Sequence, residues 1–253
     1  MNDHVSLPVL PTVFSVWRQF AMRPGYALRV AWIPALLIFG AGALLQAAEF
    51  WVFIFALLNF AVLVQALVAW QRYALPDSHP RKGATGLRAG RAEFFSLLHF
   101  PLIGVLFVPL LIPTLIESLT AAEEVGGGAV TAAIGLVGLI LMVFPGGLVL
   151  MRSALMLTAI AAAGKNPISL IATANRVWSL GAGNSVRLLL VFYLSVLPAA
   201  LAFALLPGDM PALAHAAASG GLLTLYVMLC AGALAGAYGR LVSGSGKSGK
   251  AAS

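Results

Sequence analysis

The chain has 253 residues, of which 61% are hydrophobic and only 9% are charged. Soluble domains are about half apolar and about a quarter charged, and a mean hydropathy of +0.98 cannot be hidden inside one water-soluble core of this size. The composition therefore excludes an ordinary soluble protein and predicts an integral membrane protein.

The balance of charges excludes a second class of protein. The formal net charge is +7, from 15 Lys and Arg against 8 Asp and Glu. These basic residues are scattered between apolar runs and form no patch of the kind that follows phosphates, so no nucleic-acid partner is predicted. Cys230 is the only cysteine, which excludes an internal disulfide and a cysteine-built metal site.

Six apolar stretches are long enough to cross a bilayer core of about 30 Å, which takes about 20 helical residues. They cover approximately residues 26–47, 50–70, 95–115, 128–150, 186–206 and 220–241. All fifteen Lys and Arg fall on one alternating side of these stretches, whereas the loops on the other side carry none. Because basic residues mark the cytoplasmic side, the sequence predicts an all-α protein with six spans and both termini in the cytoplasm. Eleven of the fifteen basic residues are Arg, and Ala, Gly and Leu dominate, which indicates a GC-rich bacterial genome. We therefore expect the protein in a bacterial inner membrane.

The segments before the first, third and fifth spans have the pattern of amphipathic helices. In segment 167–180, Asn166 is a candidate N-cap and Gly181 a candidate stop. At about 100° per residue its apolar side chains share one face, opposite its Arg, amide and hydroxyl side chains. Segment 87–98 is similar, although Arg91 interrupts its apolar face. The apolar face comprises Leu170, Ile171, Ala174, Val177 and Trp178 in segment 167–180, and Val13, Val16, Trp17 and Phe20 in the segment that begins at Pro11.

Such helices either lie in the plane of the headgroups or pack on the cytoplasmic ends of the bundle, and the sequence leaves both alternatives open. Trp17, Phe95 and Trp178 stand 78 and 83 residues apart. This spacing predicts one domain, 1–242, built from three units of an in-plane helix and a hairpin (1–75, 83–163 and 166–242), before a flexible tail, 243–253. The residues predicted to contact lipid at the interface, including anionic headgroups, are Trp17, Arg18, Phe95, Arg176, Trp178 and Arg187.

These boundary residues also carry a family resemblance. A Trp-containing segment, a short Gly/Asn turn and a basic residue entering an apolar span are similar to a bacterial inner-membrane superfamily, which includes YciC-like proteins and the membrane domain preceding some glycerophosphodiester phosphodiesterases. The resemblance implies six spans and cytoplasmic termini, but no lipid hydrolysis, because no phosphodiesterase domain follows. The residues that carry it are Asn175-Arg176-Val177-Trp178, Gly183-Asn184-Ser185-Val186-Arg187-Leu188-Leu189 and Leu197-Pro198, with Trp17, Pro24-Gly25, Arg29 and Pro34 as the echo in the first unit.

Motifs of catalysis are not apparent in the sequence. It contains no His-Glu-x-x-His metal motif, no Gly-x-Ser-x-Gly elbow and no phosphate-binding Gly-x-x-x-x-Gly-Lys loop. The four histidines are far apart, without the spacing of metal ligands on a helix. We therefore predict no catalytic residue, no cofactor and no metal site.

Polar residues inside spans are costly in hydrocarbon and tend to be paired or functional. Asn59 and Gln65 lie within the second span, and Glu117 follows the third. Interhelical hydrogen bonding explains the first two and outer headgroups the third. The alternative is a substrate path, because Pro109 and Pro113 interrupt the third span and a Pro-Gly-Gly run interrupts the fourth.

Two functions follow from these patterns. The first is a non-enzymatic inner-membrane protein that organises lipid or assists a membrane complex, with lipids and other membrane proteins as its partners. The second is a small transporter or channel. A continuous polar cavity lined by Asn59, Gln65 and Glu117 would favour transport, whereas a closed apolar bundle would favour the first function.

Overall fold

The structure, a computed structural model, describes residues 6–44, 49–75, 94, 96, 147–163, 170–207 and 209–250. Every regular element in this part of the chain is an α-helix, which confirms the predicted all-α class. The helices are α1 (Val9–Met22), α2 (Pro24–Leu44), α3 (Glu49–Ala74), α4 (Gly147–Ala163), α5 (Leu170–Leu180), α6 (Ser185–Ala204) and α7 (Ala212–Lys250).

Two helices within the described ranges are long and apolar enough to cross a membrane, namely Ser185–Ala204 and Ala212–Gly244. They correspond to the predicted fifth and sixth spans, and α2 and α3 coincide with the first two. Apart from Phe94 and Ser96, the predicted third span, the amphipathic segment 87–98 and most of the fourth span fall outside the described residues. The structure therefore supports a helical protein with two helices that could span a membrane, and the count of six stays a prediction.

Helix α6 shows why a bilayer suits this protein. Its inner face buries Leu188, Phe192 and Val196, whereas Leu190 and Leu201 on its other side are 46% and 52% exposed. Val186, Leu197 and Leu205 extend this exposed set along the helix. A helix that is apolar on all sides belongs in a protein core or in lipid, and an apolar stripe of this length is unfavourable in water.

Helix α7 is the centre of the bundle. Residues 226–235 are all buried, and α7 packs against α1, α2, α3, α4 and α6. Gly232 and Gly236 stand one turn apart, and a Cβ atom on Gly232 would lie only 3.0 Å from Val16 Cγ1. Small residues spaced by four let two helices approach closely, so this pair of glycines forms a groove for α1.

Helix α1 follows α7 in an antiparallel direction. Pro11 is bonded to Arg240, whereas Val16, further along α1, is nearest to Gly232, earlier in α7. The sequence left an in-plane and a packed position open for this segment, and α1 packs against α7 and α6. The physical reason is the groove in α7, which buries Val13 and Val16. This is the packed alternative that the sequence left open.

Helix α4 extends beyond the end of the predicted fourth span. The sequence placed the end of the fourth span at residue 150 and Arg152 in a linker, but residues 147–163 form one helix. Ala154, Leu155 and Ile160 are fully buried. Arg152 marks a boundary in a hydropathy profile, yet its contacts with α5 allow the apolar helix to continue past it.

The ends of α7 also differ from the prediction. The helix begins at Ala212, eight residues before the predicted span, and continues to Lys250 through most of the predicted tail. Adding residues to an existing helix carries no nucleation cost, which explains why low-propensity Gly and Ser residues are helical here.

Candidate functional site at the basic end of the helices

One end of the bundle, which we call the basic end, collects the residues before α1, the turn into α6 and the later part of α7, because Leu7 is bonded to Asn184 and lines a cavity together with Arg240. The guanidinium carbon of Arg23 lies 5.5 Å from the centre of the Tyr73 ring. Arg72 Nε donates to a carbonyl of α4 at 3.4 Å, and Arg240 Nη2 donates to the carbonyl oxygen of Pro11 at 3.1 Å. Arg23 therefore joins the start of α2 to the end of α3, Arg72 joins α3 to α4, and Arg240 joins α7 to α1.

Arg152 and Trp178 join α4 to α5 at this end. The guanidinium carbon of Arg152 lies 4.2 Å from the centre of the Trp178 ring, and its Nη2 donates to the Trp178 carbonyl at 2.6 Å. The Trp178 side chain is nevertheless 45% exposed, whereas Val177 beside it is buried. Arg176 is exposed, on the polar face that the sequence predicted for it. The side chains of Leu170 and Ile171 are outside the described residues.

The turn between α5 and α6 requires its glycines. Helix α5 ends before Gly181, as the sequence predicted, and a Cβ there would lie 3.0 Å from Arg152 Cγ. Gly183 has a φ of 74°, a conformation that costs other residues free energy. Asn184 then follows, buried, and its Oδ1 accepts a hydrogen bond from the backbone N–H of Leu7 at 2.8 Å. The turn therefore anchors the segment that enters α1.

Trp17 holds the other end of this docked segment. Its Nε1 donates to the carbonyl oxygen of Ser195 in α6 at 3.0 Å. Pro198, three residues later, lacks an N–H, so the carbonyl of Leu194 beside Ser195 loses its helical donor. The Trp17 indole joins α1 to α6 next to this interruption.

The predicted interfacial residues do not form one cluster in the part of the chain that the structure describes. Trp17 is half-buried against α6, and Trp178 is stacked on Arg152. Arg18, Arg176 and Arg187 are exposed on three different helices. Phe95 lies outside the described residues.

The predicted polar positions within spans are also separate. Gln65 is half-buried in α3, and its Oε1 is buried without a hydrogen-bond donor in the described structure. Asn59 lies in the same helix, but its side chain is outside the described residues, as is all of Glu117. The structure therefore leaves the proposed path through these three residues a prediction.

A polar pair that the sequence did not indicate lies between α3 and α4. Gln71 and Thr158 are both fully buried, and Gln71 Nε2 donates to Thr158 Oγ1 at 3.1 Å. Gln71 Oε1 has no partner in the described structure. Hydropathy ended the second span at residue 70, which treated Gln71 as a loop residue. A Gln that directly follows an apolar run was the signal in the sequence that could have indicated this pair.

The chemistry at the basic end is set by guanidinium groups, an indole ring and hydroxyls. No cluster of three or more His, Cys, Asp or Glu occurs among the described residues. The two carboxylates in the described ranges are Glu49 at the start of α3 and Asp209 before α7. Such a surface attracts anions and amphiphiles.

Comparisons with known proteins give no further assignment. No model of a protein family matches this sequence, and neither a curated protein nor a solved structure matches it. The resemblance to the six-span superfamily therefore stays a prediction.

Proposed function

We propose that this chain is a six-span protein of a bacterial inner membrane, without enzymatic activity, that organises lipid or assists a membrane complex at its cytoplasmic face. The observation that carries the proposal is the exposed apolar face of α6, which begins at the basic end beside the exposed Arg187. This order of an arginine and then an apolar surface matches the order of a headgroup and its acyl chains.

The lengths of the other helices support the six-span part of the proposal. Helices α2 and α3 have 21 and 26 residues, and at 1.5 Å per residue each reaches across about 30 Å of hydrocarbon. Tyr26 near the start of α2 stacks on Tyr73 near the end of α3, with ring centres 4.4 Å apart. The two helices therefore form an antiparallel hairpin, and the predicted spans 95–115 and 128–150 complete the count.

Exposed basic residues support a preference for anionic lipid. Arg176 and Arg187 flank the turn at the start of α6, and the exposed indole of Trp178 lies between them in the sequence. Indole rings settle at the headgroup level, and a basic residue near an anionic surface contributes about 1 kcal/mol. In this proposal α5 rests at the interface with Arg176 on its wet side.

The test is the lipid that accompanies the protein. The full chain is reconstituted in bilayers of phosphatidylcholine with a minor share of phosphatidylglycerol, then extracted with a polymer, and the annular lipid is quantified by mass spectrometry. We expect phosphatidylglycerol to be enriched around the wild type and less so around a variant carrying both Arg176→Gln and Arg187→Gln. Asp209→Asn, near the opposite end of α6, is the control. Equal lipid ratios in all samples would contradict the proposal.

Transport is the second candidate, and the orphan acceptors of α3 favour it. Gln65 Oε1 and Gln71 Oε1 lack donors in the described part of the protein, and such groups tend to mark polar paths in membrane proteins. Gln65→Leu and Gln71→Leu should change stability by no more than about 1–2 kcal/mol if these groups only link helices. Unchanged stability with loss of a measurable flux of ions or solutes into proteoliposomes would establish transport instead.

A further inference from the structure

A cavity of about 210 Å³ lies between the segment that leads into α1 and the later part of α7. Ser6, Leu7 and Pro8 line it on one side, and Arg240, Ser243 and Gly244 line it on the other. The two walls are held by polar bonds, from Leu7 to Asn184 and from Arg240 to Pro11. The cavity is therefore a built feature of the basic end and is open at its rim.

The charge in this cavity is positive. The guanidinium of Arg240 has five N–H donors, of which Nη2 is bonded to the Pro11 carbonyl. No carboxylate is among the lining residues, and both carboxylates within the described ranges lie far along the chain from Arg240. An oxygen-bearing anion is the chemical complement of an arginine in such a cavity.

The geometry favours a tetrahedral, oxygen-rich anion. An arginine fork donates to phosphate through two parallel N–H groups, which makes it specific as well as strong. The start of α1 closes the cavity, and Pro8 before it provides no side-chain cap for the first N–H groups of this helix. Helix N-termini add a partial positive charge in the same direction, although Arg240 in its cavity carries the argument.

We propose that this cavity binds the phosphate group of a phosphoester, with Arg240 as its main ligand, and that in the membrane the phosphoester is the headgroup of an anionic phospholipid. This inference deepens the proposed function and rests on it for the placement of the basic end at the headgroups. Binding of a soluble phosphoester does not depend on that placement. The bound lipid would link the N-terminal segment to α7.

The experiment titrates the full chain, purified in a neutral detergent, with four probes. These are inorganic phosphate, glycerol 3-phosphate, short-chain phosphatidylglycerol and short-chain phosphatidylcholine, and binding is followed by calorimetry and by ³¹P resonances. The variants are Arg240→Gln and Gly244→Leu, with Arg176→Gln as a matched exposed arginine elsewhere at the basic end. Gly244→Leu leaves Arg240 in place, takes up space in the cavity and raises the helix propensity of α7.

We expect phosphatidylglycerol to bind more tightly than phosphatidylcholine, with affinity at least about tenfold weaker in Arg240→Gln, because charge-assisted hydrogen bonds to phosphate are among the strong ones. Gly244→Leu should weaken binding without lowering the melting temperature, and Arg176→Gln should bind like the wild type. Binding of glycerol 3-phosphate as well would show that the phosphate suffices. Binding of phosphatidylglycerol alone would show that the acyl chains contribute and that lipid is the source.

Three results would overturn the inference: no binding of any probe, equal affinities for the wild type and both cavity variants, or binding that is seen only after Asp3→Asn. The last would show that the chain's own carboxylate fills the cavity. If phosphatidylglycerol stays enriched around Arg240→Gln, this site is wrong and the proposed function stands. If the basic end binds a phosphoester but proves to be periplasmic, the proposed function is wrong and this site stands.

Discussion

Arg152 connects two helices through one side chain. Its guanidinium stacks on the Trp178 ring and donates to the Trp178 carbonyl, and its Cγ lies only 3.0 Å from where a Cβ of Gly181 would be. An arginine can serve both contacts because its planar fork stacks and donates at the same time. Arg176, in contrast, is exposed.

The first prediction compares these two arginines. Arg152→Met should lower the free energy of unfolding in detergent by about 2 kcal/mol, because a charge-assisted hydrogen bond contributes about 1.5–3 kcal/mol and the contact with the indole ring adds to it. Arg176→Gln should stay within about 0.5 kcal/mol of the wild type. Reversible unfolding followed by tryptophan fluorescence measures both. Equal losses would show that Arg152 has no special role.

The second prediction concerns the turn before α6. Gly183→Ala should lower the free energy of unfolding by about 1–2 kcal/mol, because a φ of 74° places Cβ against the following carbonyl. Gly183→Asn should lose less, since Asn tolerates this conformation. Gly25→Ala is the control, because nothing lies within 4 Å of a Cβ there. If Ala and Asn at position 183 behave like the control, the turn has another conformation.

At the scale of elements, α1 shows how a small-residue groove directs packing. Its face of Val13 and Val16 fills the groove of α7, and its other side leaves Leu10 and Phe14 about 60% exposed. A helix with apolar residues on both sides is suited to a position between a protein core and lipid acyl chains. The in-plane position, one of the two that its amphipathic pattern left open, would leave the groove of α7 empty.

The third prediction tests this packing. Gly232→Leu should displace α1, because even a Cβ would lie 3.0 Å from Val16 Cγ1 and 3.2 Å from Trp70 Nε1, and overpacking costs about 1–3 kcal/mol. Trypsin should then cut faster at Arg18 and Arg23. Gly221→Leu, on the same helix with open space around it, is the matched control. An unchanged cleavage rate in Gly232→Leu would place α1 elsewhere.

At the scale of the whole molecule, two arginines link helices at the basic end. Arg152 joins α4 to the end of α5, and Arg240 joins α7 to α1, whereas Asp209 precedes the opposite end of α7. The positive-inside rule predicts that the basic end faces the cytoplasm.

The fourth prediction is the topology itself. Reporter fusions after Lys82, Lys165 and the C-terminus should give a cytoplasmic signal, and fusions after Glu124 and Asp209 a periplasmic one, because all fifteen basic residues lie on one predicted side. Paired enzymatic and fluorescent reporters at each site provide the control. A periplasmic signal after Lys82 would contradict the six-span arrangement.

The sequence alone determined the helical class and the approximate positions of α2, α3 and α6. Each depends on a local property, namely an apolar run whose length matches the bilayer and whose ends carry charge or Gly and Pro. The end of α5 at Gly181 and the burial of Val13, Val16 and Val177 were also predictable, because amphipathic periodicity is written in neighbouring residues.

Only the tertiary structure decided how these helices meet. The bond between Leu7 and Asn184 joins residues 177 positions apart, and the pairing of Gln71 with Thr158 joins two that the hydropathy pattern assigned to linkers. Helix α4 continues through Arg152 because α5 supplies a ring and a carbonyl for the charge, and α1 follows α7 because two glycines open a groove. A hydropathy profile scores each residue by its own transfer free energy, whereas these features depend on which partner lies opposite in space.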